Sequence, residues 1–322
     1  MNVAEIDYDE STLMPIGVET LRGADELPFD LYLPGEGRRH LVLYRNRKHA
    51  IADSDLERLI QRGVRTLYIS QGDSTTYREY LRDSLLKNDD ISPLRRYQVL
   101  REATRAVLTE ALTKGDHDSA VKMTGELSQG MVQTVCDSQT ALNDLLRVMS
   151  HDYSVFTHAV NVATNCLLLA RQLGIDNQQE LLQIGQGALL HDIGVQCVPR
   201  HIMEKPGKLT NRDRRIMQEH PTLGFKELRH REDLTWGQLM MVYSHHERCD
   251  GRGYPVGLVQ SEIHEYARLC AIADVYEAIC RDRPYRRASR RRDALEYLDR
   301  QAGRGFDEEM MRCWMSAVAR EK

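Results

Sequence analysis

The sequence predicts a mainly α-helical protein. An all-helical bundle at the C-terminal end is preceded by a helical linker and by a small α/β domain of ββαβ order. Three observations predict this. Alternating apolar residues, the mark of half-buried strands, are confined to residues 29–69. From residue 76 onward the apolar positions recur with helical spacing. The later helices then carry histidines and aspartates at their ends, where unpaired polar groups are costly.

Taken in order, residues 1–24 show no clear period and read as an extended lead. Residues 25–75 form the small domain. Phe29-Asp30-Leu31-Tyr32-Leu33 alternates like a strand, Pro34-Gly35-Glu36-Gly37 is a turn, and His40-Leu41-Val42-Leu43-Tyr44 is a second strand. Ser54 or Asp53 can cap a helix carrying Leu56, Leu59 and Ile60, which Gly63 ends. Val64 to Ile69 supplies the third strand. This unit has no phosphate-cradling glycine loop and suits a regulatory or docking role by position alone.

Residues 76–141 read as a linker, with helices at about 76–87, 93–113, 117–136 and 138–149. The breaks are Ser92-Pro93 and Gly115. Leu100, Ala103, Val107 and Ala111 make one apolar stripe, which suits packing within the domain or a dimerisation helix.

Residues 142–322 form the bundle. A helix at about 154–173 carries His158 near its start and stops at Gly174. A second, at about 178–190, runs into Leu190-His191-Asp192-Ile193-Gly194. Thr210 opens a short charged helix, and Pro221 forces His220 out of α geometry while starting the next helix itself. Leu239-Met240-Met241-Val242-Tyr243 ends a buried helix just before His245 and His246. The helix at about 265–280 lines up Ala267, Cys270, Ala271, Asp274 and Ala278, so Asp274 interrupts an apolar face.

The bulk numbers bound the setting. The chain has 322 residues, 41% hydrophobic and 29% charged, with a formal net charge of −4, so no global basic field draws it to DNA. No apolar run approaches the ~20 residues of a membrane helix, and the acidic start lacks the features of a signal peptide. Seven dispersed cysteines without a C-x-x-C pair point to reduced thiols in a cytoplasm rather than to disulfides or a thiolate zinc site.

Each polar exception taken alone has a structural explanation, such as a core histidine bonded to a carbonyl or a helix cap. Together His158, His191, His220, His245 and His246, with Asp192 and Asp274, fall at helix ends or on inward faces of one bundle. Helical bundles build metal sites from such facing side chains. Nitrogen and carboxylate ligands without thiolates suit iron, manganese and other octahedral-leaning metals. Seven ligands are too many for one ion with open positions and fit two ions sharing a carboxylate.

Over about Leu142 to Trp314 the sequence resembles the HD-GYP family of the HD phosphohydrolases, which hydrolyse the bacterial second messenger cyclic di-GMP. The resemblance is carried by Tyr153–His158 with Val160-Asn161-Val162, by Leu190–Gly194, by Lys205-Pro206-Gly207-Lys208-Leu209-Thr210, and by His220-Pro221 with Gly224. It continues through His245-His246-Glu247-Arg248-Cys249-Asp250-Gly251-Arg252-Gly253-Tyr254-Pro255, Ala273-Asp274-Val275-Tyr276 and Arg283-Pro284-Tyr285-Arg286.

The resemblance implies an HD-type helical bundle with His191 and Asp192 as its catalytic pair. It places His158, His191, Asp192 and Asp274 on one divalent metal ion and His220, His245 and His246 on a second, with Asp192 bridging. Iron or manganese come first, with nickel or zinc as further options. Arg283, Arg286 and Tyr254 are the implied substrate contacts, and Tyr254 with Gly253 also shapes the loop. Glu247 and Asp250 would orient histidines or hold that loop. Arg287, Arg290, Arg291 and Arg292 read as a solvated face. The implied activity is cleavage of cyclic di-GMP to pGpG and on to GMP in the cytoplasm. Diguanylate cyclases or a second copy of the chain are candidate protein partners, with neither DNA binding nor membrane insertion.

Three positions depart from the family pattern. Val195 stands where lysine is usual, Ser154 where some members carry a third-metal glutamate, and Glu277 where aspartate is frequent. The first keeps open a different class of protein, a catalytically weak or silent cyclic di-GMP receptor that signals through protein contacts.

Overall fold

Alternating apolar residues near the front of the chain build one antiparallel sheet. The structure, a computed structural model, describes residues 5–6, 12–21, 26–34, 41–64, 66–86, 99, 117–136, 155–203, 205, 207–280 and 291–319. The chain divides into two units, Met1–Val107 and Leu108–Lys322. The division falls inside the segment read from sequence as a linker.

The first unit holds β1 (Glu5–Ile6), β2 (Leu13–Gly17), β3 (Leu31–Pro34), β4 (Leu41–Arg45), α1 (Asp53–Gln61), β5 (Thr66–Ser70) and α2 (Ser74–Leu86). The sheet order is β1-β4-β3-β5-β2, and every pairing is antiparallel. The predicted ββαβ core is therefore β3-β4-α1-β5, with α1 carrying the chain across β3. The lead expected at 1–24 is corrected: β2 pairs with β5 from Leu13↔Ser70 to Gly17↔Thr66. Its alternation is short, with Met14 and Ile16 buried around an exposed Pro15. Proline is tolerated there because β2 ends the sheet order.

The start of α1 also differs from expectation, while its stop at Gly63 agrees with it. The helix starts at Asp53 after Ala52, and Asp55 reaches back to accept from the Ala52 N–H at 3.3 Å, so neither Ser54 nor Asp53 is the cap. It ends at Gly63, whose φ of +79° favours glycine. The unit's core gathers Ile16, Phe29, Leu31, Leu67 and Ile69 with Tyr77 of α2, and the Phe29 and Tyr77 rings meet edge-to-face at 5.5 Å.

The second unit is helical. It holds α3 (His117–Cys136), α4 (Val155–Gln172), α5 (Gln178–Leu190), α6 (Arg200–Met203), α7 (Asn211–Met217), α8 (His220–Leu228), α9 (Trp236–Ser244), α10 (Glu265–Cys280), α11 (Arg291–Asp299) and α12 (Glu308–Ala319). Local chemistry sets the ends. Gly174 stops α4 at φ +84°, and the Ile175 N–H returns to the Ala170 carbonyl at 3.0 Å. The Asn177 side chain accepts from the Glu180 N–H to begin α5, and Thr210 with Asp213 forms a capping box on α7.

Helix α3, read from sequence as linker, belongs to the bundle. Its Ala120 and Val121 share a buried cluster with Leu190, Ile193, Leu228, Leu239 and Val242. The Gln186 amide donates to the Val121 carbonyl at 2.9 Å, and the Ser128 hydroxyl to the Leu182 carbonyl at 2.9 Å. The expected helices at 93–113 and 138–149, and the Leu100–Ala111 stripe, lie outside the described residues. Among the described residues no helix is long and apolar enough to cross a membrane, and none of the cysteines forms a disulfide.

Candidate metal centre

Helix ends deliver the polar side chains to one place. His158 lies in the first turn of α4, His191 follows the last residue of α5, and Asp192 comes next. The 3-10 turn Ile193–Cys197 then runs against α8. A Cβ on Gly194 would lie 2.1 Å from the His220 carbonyl oxygen and 2.4 Å from the Gly224 nitrogen, so only glycine allows this approach. His245 and His246 follow the end of α9, and Asp274 projects from the middle of α10.

The sequence reading of His220 needs one correction: it is the first residue of α8, with Pro221 inside the first turn. Proline removes no intrahelical bond there, because the first N–H groups have no helical partner. The His220 Nδ1–H also donates to the Met217 carbonyl at 2.8 Å, which fixes the residue in place.

All seven candidate ligands come together around the Asp192 carboxylate, whose two oxygens face two different pairs of imidazoles. Oδ2 lies 3.5 Å from Nε2 of His191 and 3.7 Å from Nε2 of His158. Oδ1 lies 3.2 Å from Nε2 of His220 and 3.6 Å from Nε2 of His245. Asp274 also spans the two groups, with Oδ1 3.1 Å from His158 Nε2 and Oδ2 3.9 Å from His246 Nδ1. Potential ligand atoms of Asp192, His220, His245 and His246 lie within 4.8 Å of one another, as do those of His158, His191 and Asp192.

The donor set fits a cation on hydrogen-bond grounds. Backbone carbonyls can only accept, and they face Nδ1 of His191 (Ala188, 2.7 Å), His220 (Met217, 2.8 Å) and His245 (Met241, 2.9 Å). Each of these rings therefore donates from Nδ1 and turns an Nε2 lone pair inward when neutral. The Nε2 atoms of His220 and His245 face each other at 3.3 Å. His191 Nε2 is fully buried without a hydrogen-bond partner. Converging lone pairs and an orphaned buried acceptor are unfavourable until a positive charge sits among them.

The electrostatics agree. Burial would raise the Asp192 carboxyl, but His191, His220 and His245 hold it well below the usual carboxylate range. Asp274 is likewise lowered against the effect of burial, chiefly by His158. Burial pushes His191 down to about 4, and burial together with His245 lowers His246, so both rings stay neutral and able to coordinate. His158 and His220 are shifted the other way. Burial opposes the charge of both, but Glu277 and Asp274 raise His158 to about 10 and Asp192 raises His220.

Glu277 is the functional residue that sequence reasoning undervalued. Its Oε2 accepts from His158 Nδ1, and its Oε1 accepts from the Asn161 amide at 3.3 Å. A carboxylate behind a ligating histidine fixes the ring and its tautomer. The available signal was its spacing: Glu277 lies three residues after Asp274 and so shares its helix face.

Glu247 and Asp250 hold the loop after His246. The Glu247 carboxylate accepts from the N–H groups of Val256 (2.7 Å), Gly257 (3.0 Å) and Leu258 (3.0 Å). Asp250 pairs with Arg248 at 3.0 and 2.8 Å and accepts from the Arg252 N–H at 3.2 Å. The Tyr254 ring stacks on His246 with centroids 4.7 Å apart. Burial, then Asp274 and Asp192, raise its phenol. Val195 is half-buried in the turn after Asp192. Arg283, Arg286, Arg287, Arg290 and Ser154 lie outside the described residues, as does the Arg291 side chain. Arg292 is exposed and pairs with Glu296 at 3.4 Å.

A helical bundle that gathers five histidines and two aspartates in one place has counterparts among known proteins. The HD domain family model matches residues 134–310, more than half of the chain, and the chain belongs to this family. Its His245–Pro255 loop and its relatives place it in the HD-GYP branch. It is 36% identical over 178 residues to the cyclic di-GMP phosphodiesterase PA4108 of Pseudomonas aeruginosa, covering 55% of this chain and 42% of that one. It is 42% identical over 142 residues to the cyclic di-GMP phosphodiesterase response regulator RpfG of Xanthomonas campestris, covering 44% and 37%. Similarity to the 3'3'-cGAMP-specific phosphodiesterase 1 of Vibrio cholerae is 38% over 134 residues, covering 41% and 30%. The matches thus span less than half the length of these relatives. The solved structure of Bd1817, an HDG"Y"P protein from Bdellovibrio bacteriovorus, superposes with a TM-score of 0.73 at 19% identity. It covers 95% of this chain and 99% of that one, a likeness of fold.

Proposed function

We propose that this chain is a metal-dependent phosphodiesterase that opens cyclic di-GMP to pGpG and carries it on to GMP in the cytoplasm. The observation that carries the reading is the division of labour at Asp192, one oxygen facing His158 and His191 and the other facing His220 and His245. In this reading His158, His191, Asp192 and Asp274 hold one divalent cation, iron or manganese first and nickel or zinc second. His220, His245 and His246 hold another, with Asp192 shared. Two such cations supply charge to the diester oxygens and a bound water acidic enough to lose its proton near neutral pH.

The chain's own residues do the rest. Ala188, Met217 and Met241 hold three imidazoles through their carbonyls, so those lone pairs are aimed before any ligand arrives. Tyr254 keeps its phenolic proton, so any polar contact its oxygen makes is that of a neutral hydroxyl. Arg283 and Arg286 would grip phosphate or guanine with guanidinium forks. The substrate class is taken from the names of the relatives, most of which are cyclic di-GMP phosphodiesterases. The first unit would regulate the enzyme or dock partners such as a diguanylate cyclase or a second copy of the chain.

Val195 supports a second reading, a receptor that binds cyclic di-GMP without turning it over. It places an uncharged side chain in the turn after Asp192, where a lysine would offer a cation. Manganese-loaded protein incubated with cyclic di-GMP separates the two. Product that accumulates and is abolished by Asp192→Ala supports the enzyme, while tight binding without product supports the receptor. Parallel incubation with 3'3'-cGAMP tests the choice of dinucleotide, and faster hydrolysis of that compound would overturn the substrate assignment.

A further inference from the structure

The five imidazoles are not held alike. His191, His220 and His245 each donate Nδ1–H to a backbone carbonyl, and Glu277 holds His158. Among the described residues His246 makes no such bond, and the carboxylate of Asp274 stands 3.9 Å from its Nδ1, too far for a hydrogen bond. Its side chain is 24% exposed, against 5% or less for the other four, so packing alone does not confine it. What lies against it is Tyr254, its ring 4.7 Å away and inclined by only 27°. The His220 ring meets it edge-on at 5.0 Å, and the His245 ring lies tilted by 45° at 4.1 Å.

The loop is built to put Tyr254 there. The chain leaves His246 and folds back so tightly that a Cβ on Gly253 would lie 2.4 Å from both the Arg248 nitrogen and the Glu247 Cα. That return lets the Tyr254 N–H donate to the His246 carbonyl at 3.2 Å, within the same turn that lays one ring on the other. Glu247, the residue after His246, gathers the three N–H groups just beyond Pro255 and closes the loop. Stacked aromatic faces fix the plane of a ring while leaving its nitrogens free, and a ligating imidazole needs both.

We propose that Tyr254 is the positioning residue for His246, standing in by ring stacking for the outer hydrogen bond that the other four imidazoles possess. Through His246 it sets the affinity of one of the two cations, an inference that rests on the two-cation reading above. The stack, not the hydroxyl, does this.

The test strips the full chain of metal and titrates it with Mn²⁺, reading bound metal by elemental analysis and the dissociation constant of each ion. Tyr254→Leu should weaken one ion by about 10- to 100-fold and leave the other as in wild type. Tyr254→Phe should bind both ions as wild type does. The metal-free protein offers a second readout: an upfield ring-current shift on the His246 ring protons in the NMR spectrum, present in wild type and in Tyr254→Phe and absent in Tyr254→Leu. Should Tyr254→Leu fail to fold, the wild-type shift and the Tyr254→Phe titration decide alone. Wild-type affinity for both ions in Tyr254→Leu, an ion lost from Tyr254→Phe, or an unshifted His246 in wild type would each overturn the inference. Wild-type protein that binds a single ion would instead bring down the two-cation reading and the inference with it.

Discussion

In the sheet unit the buried Thr20 hydroxyl donates to the Gly17 carbonyl at 2.7 Å and meets the Tyr77 hydroxyl at 2.7 Å. In the helical unit the buried Nε2 of His191 has no hydrogen-bond partner, and two further Nε2 atoms face each other at 3.3 Å. Both sets are buried polar atoms, yet the Thr20–Tyr77 pair closes on itself and the histidine nitrogens are left converging. A closed polar pair stabilises and specifies a core. Converging acceptors subtract from stability until a ligand fills the space between them, and that deficit is what a binding site stores.

Four substitutions probe this contrast, from the largest effect down. Phe29→Ala removes a fully buried ring from the sheet unit and should cost about 3–5 kcal/mol of stability in chemical unfolding, with bound metal unchanged. A concurrent loss of metal would mean that the two kinds of core are not separable. Asp192→Ala takes the carboxylate from between the imidazole pairs. Phosphodiester hydrolysis should fall by at least about 10²- to 10³-fold, and elemental analysis should find both ions depleted. Retained metal would show that Asp192 is not the shared ligand.

Glu277→Gln keeps the shape behind His158 but withdraws the charge, so affinity for one ion should drop about 10- to 100-fold in a Mn²⁺ titration. Unaltered affinity would reduce Glu277 to a packing residue. Tyr77→Phe deletes one member of the closed hydroxyl pair in the sheet unit. It should cost about 0.5–1.5 kcal/mol in the same unfolding assay and change neither metal content nor turnover.

Much of the helical unit was legible because its periodicity is long and its punctuation is strong. The helix at 178–190 and that at 265–280 lie where the apolar spacing puts them. The seven candidate ligands were legible as polar residues in apolar company. The hands that hold them were not, because carbonyls of Ala188, Met217 and Met241 carry no sequence signature. Glu277 looked like an exchange of one acid for another until His158 was found against it. Strand β2 was missed because Met14 and Ile16 give only two buried positions around a proline, too few to establish a period. Helix α3 was read as linker because Ala120 and Val121 declare their partners only when Leu190 and Val242 come to meet them. Pro221 shows the reverse error, a general preference of the residue before proline yielding to the freedom of a helix's first turn.

The contact at Gly194 carries a consequence for retuning the centre. Main chain comes against main chain there, Gly194 meeting the His220 carbonyl and the Gly224 backbone, between the segment bearing His191 and Asp192 and the helix bearing His220. The approach of the two backbones there is thereby set by the absence of a side chain at Gly194, and any larger residue at that position would drive them apart. Fitting the centre to an ion of another radius is more open to substitution on the side of His245, His246 and Asp274, which α9 and α10 bring to the site.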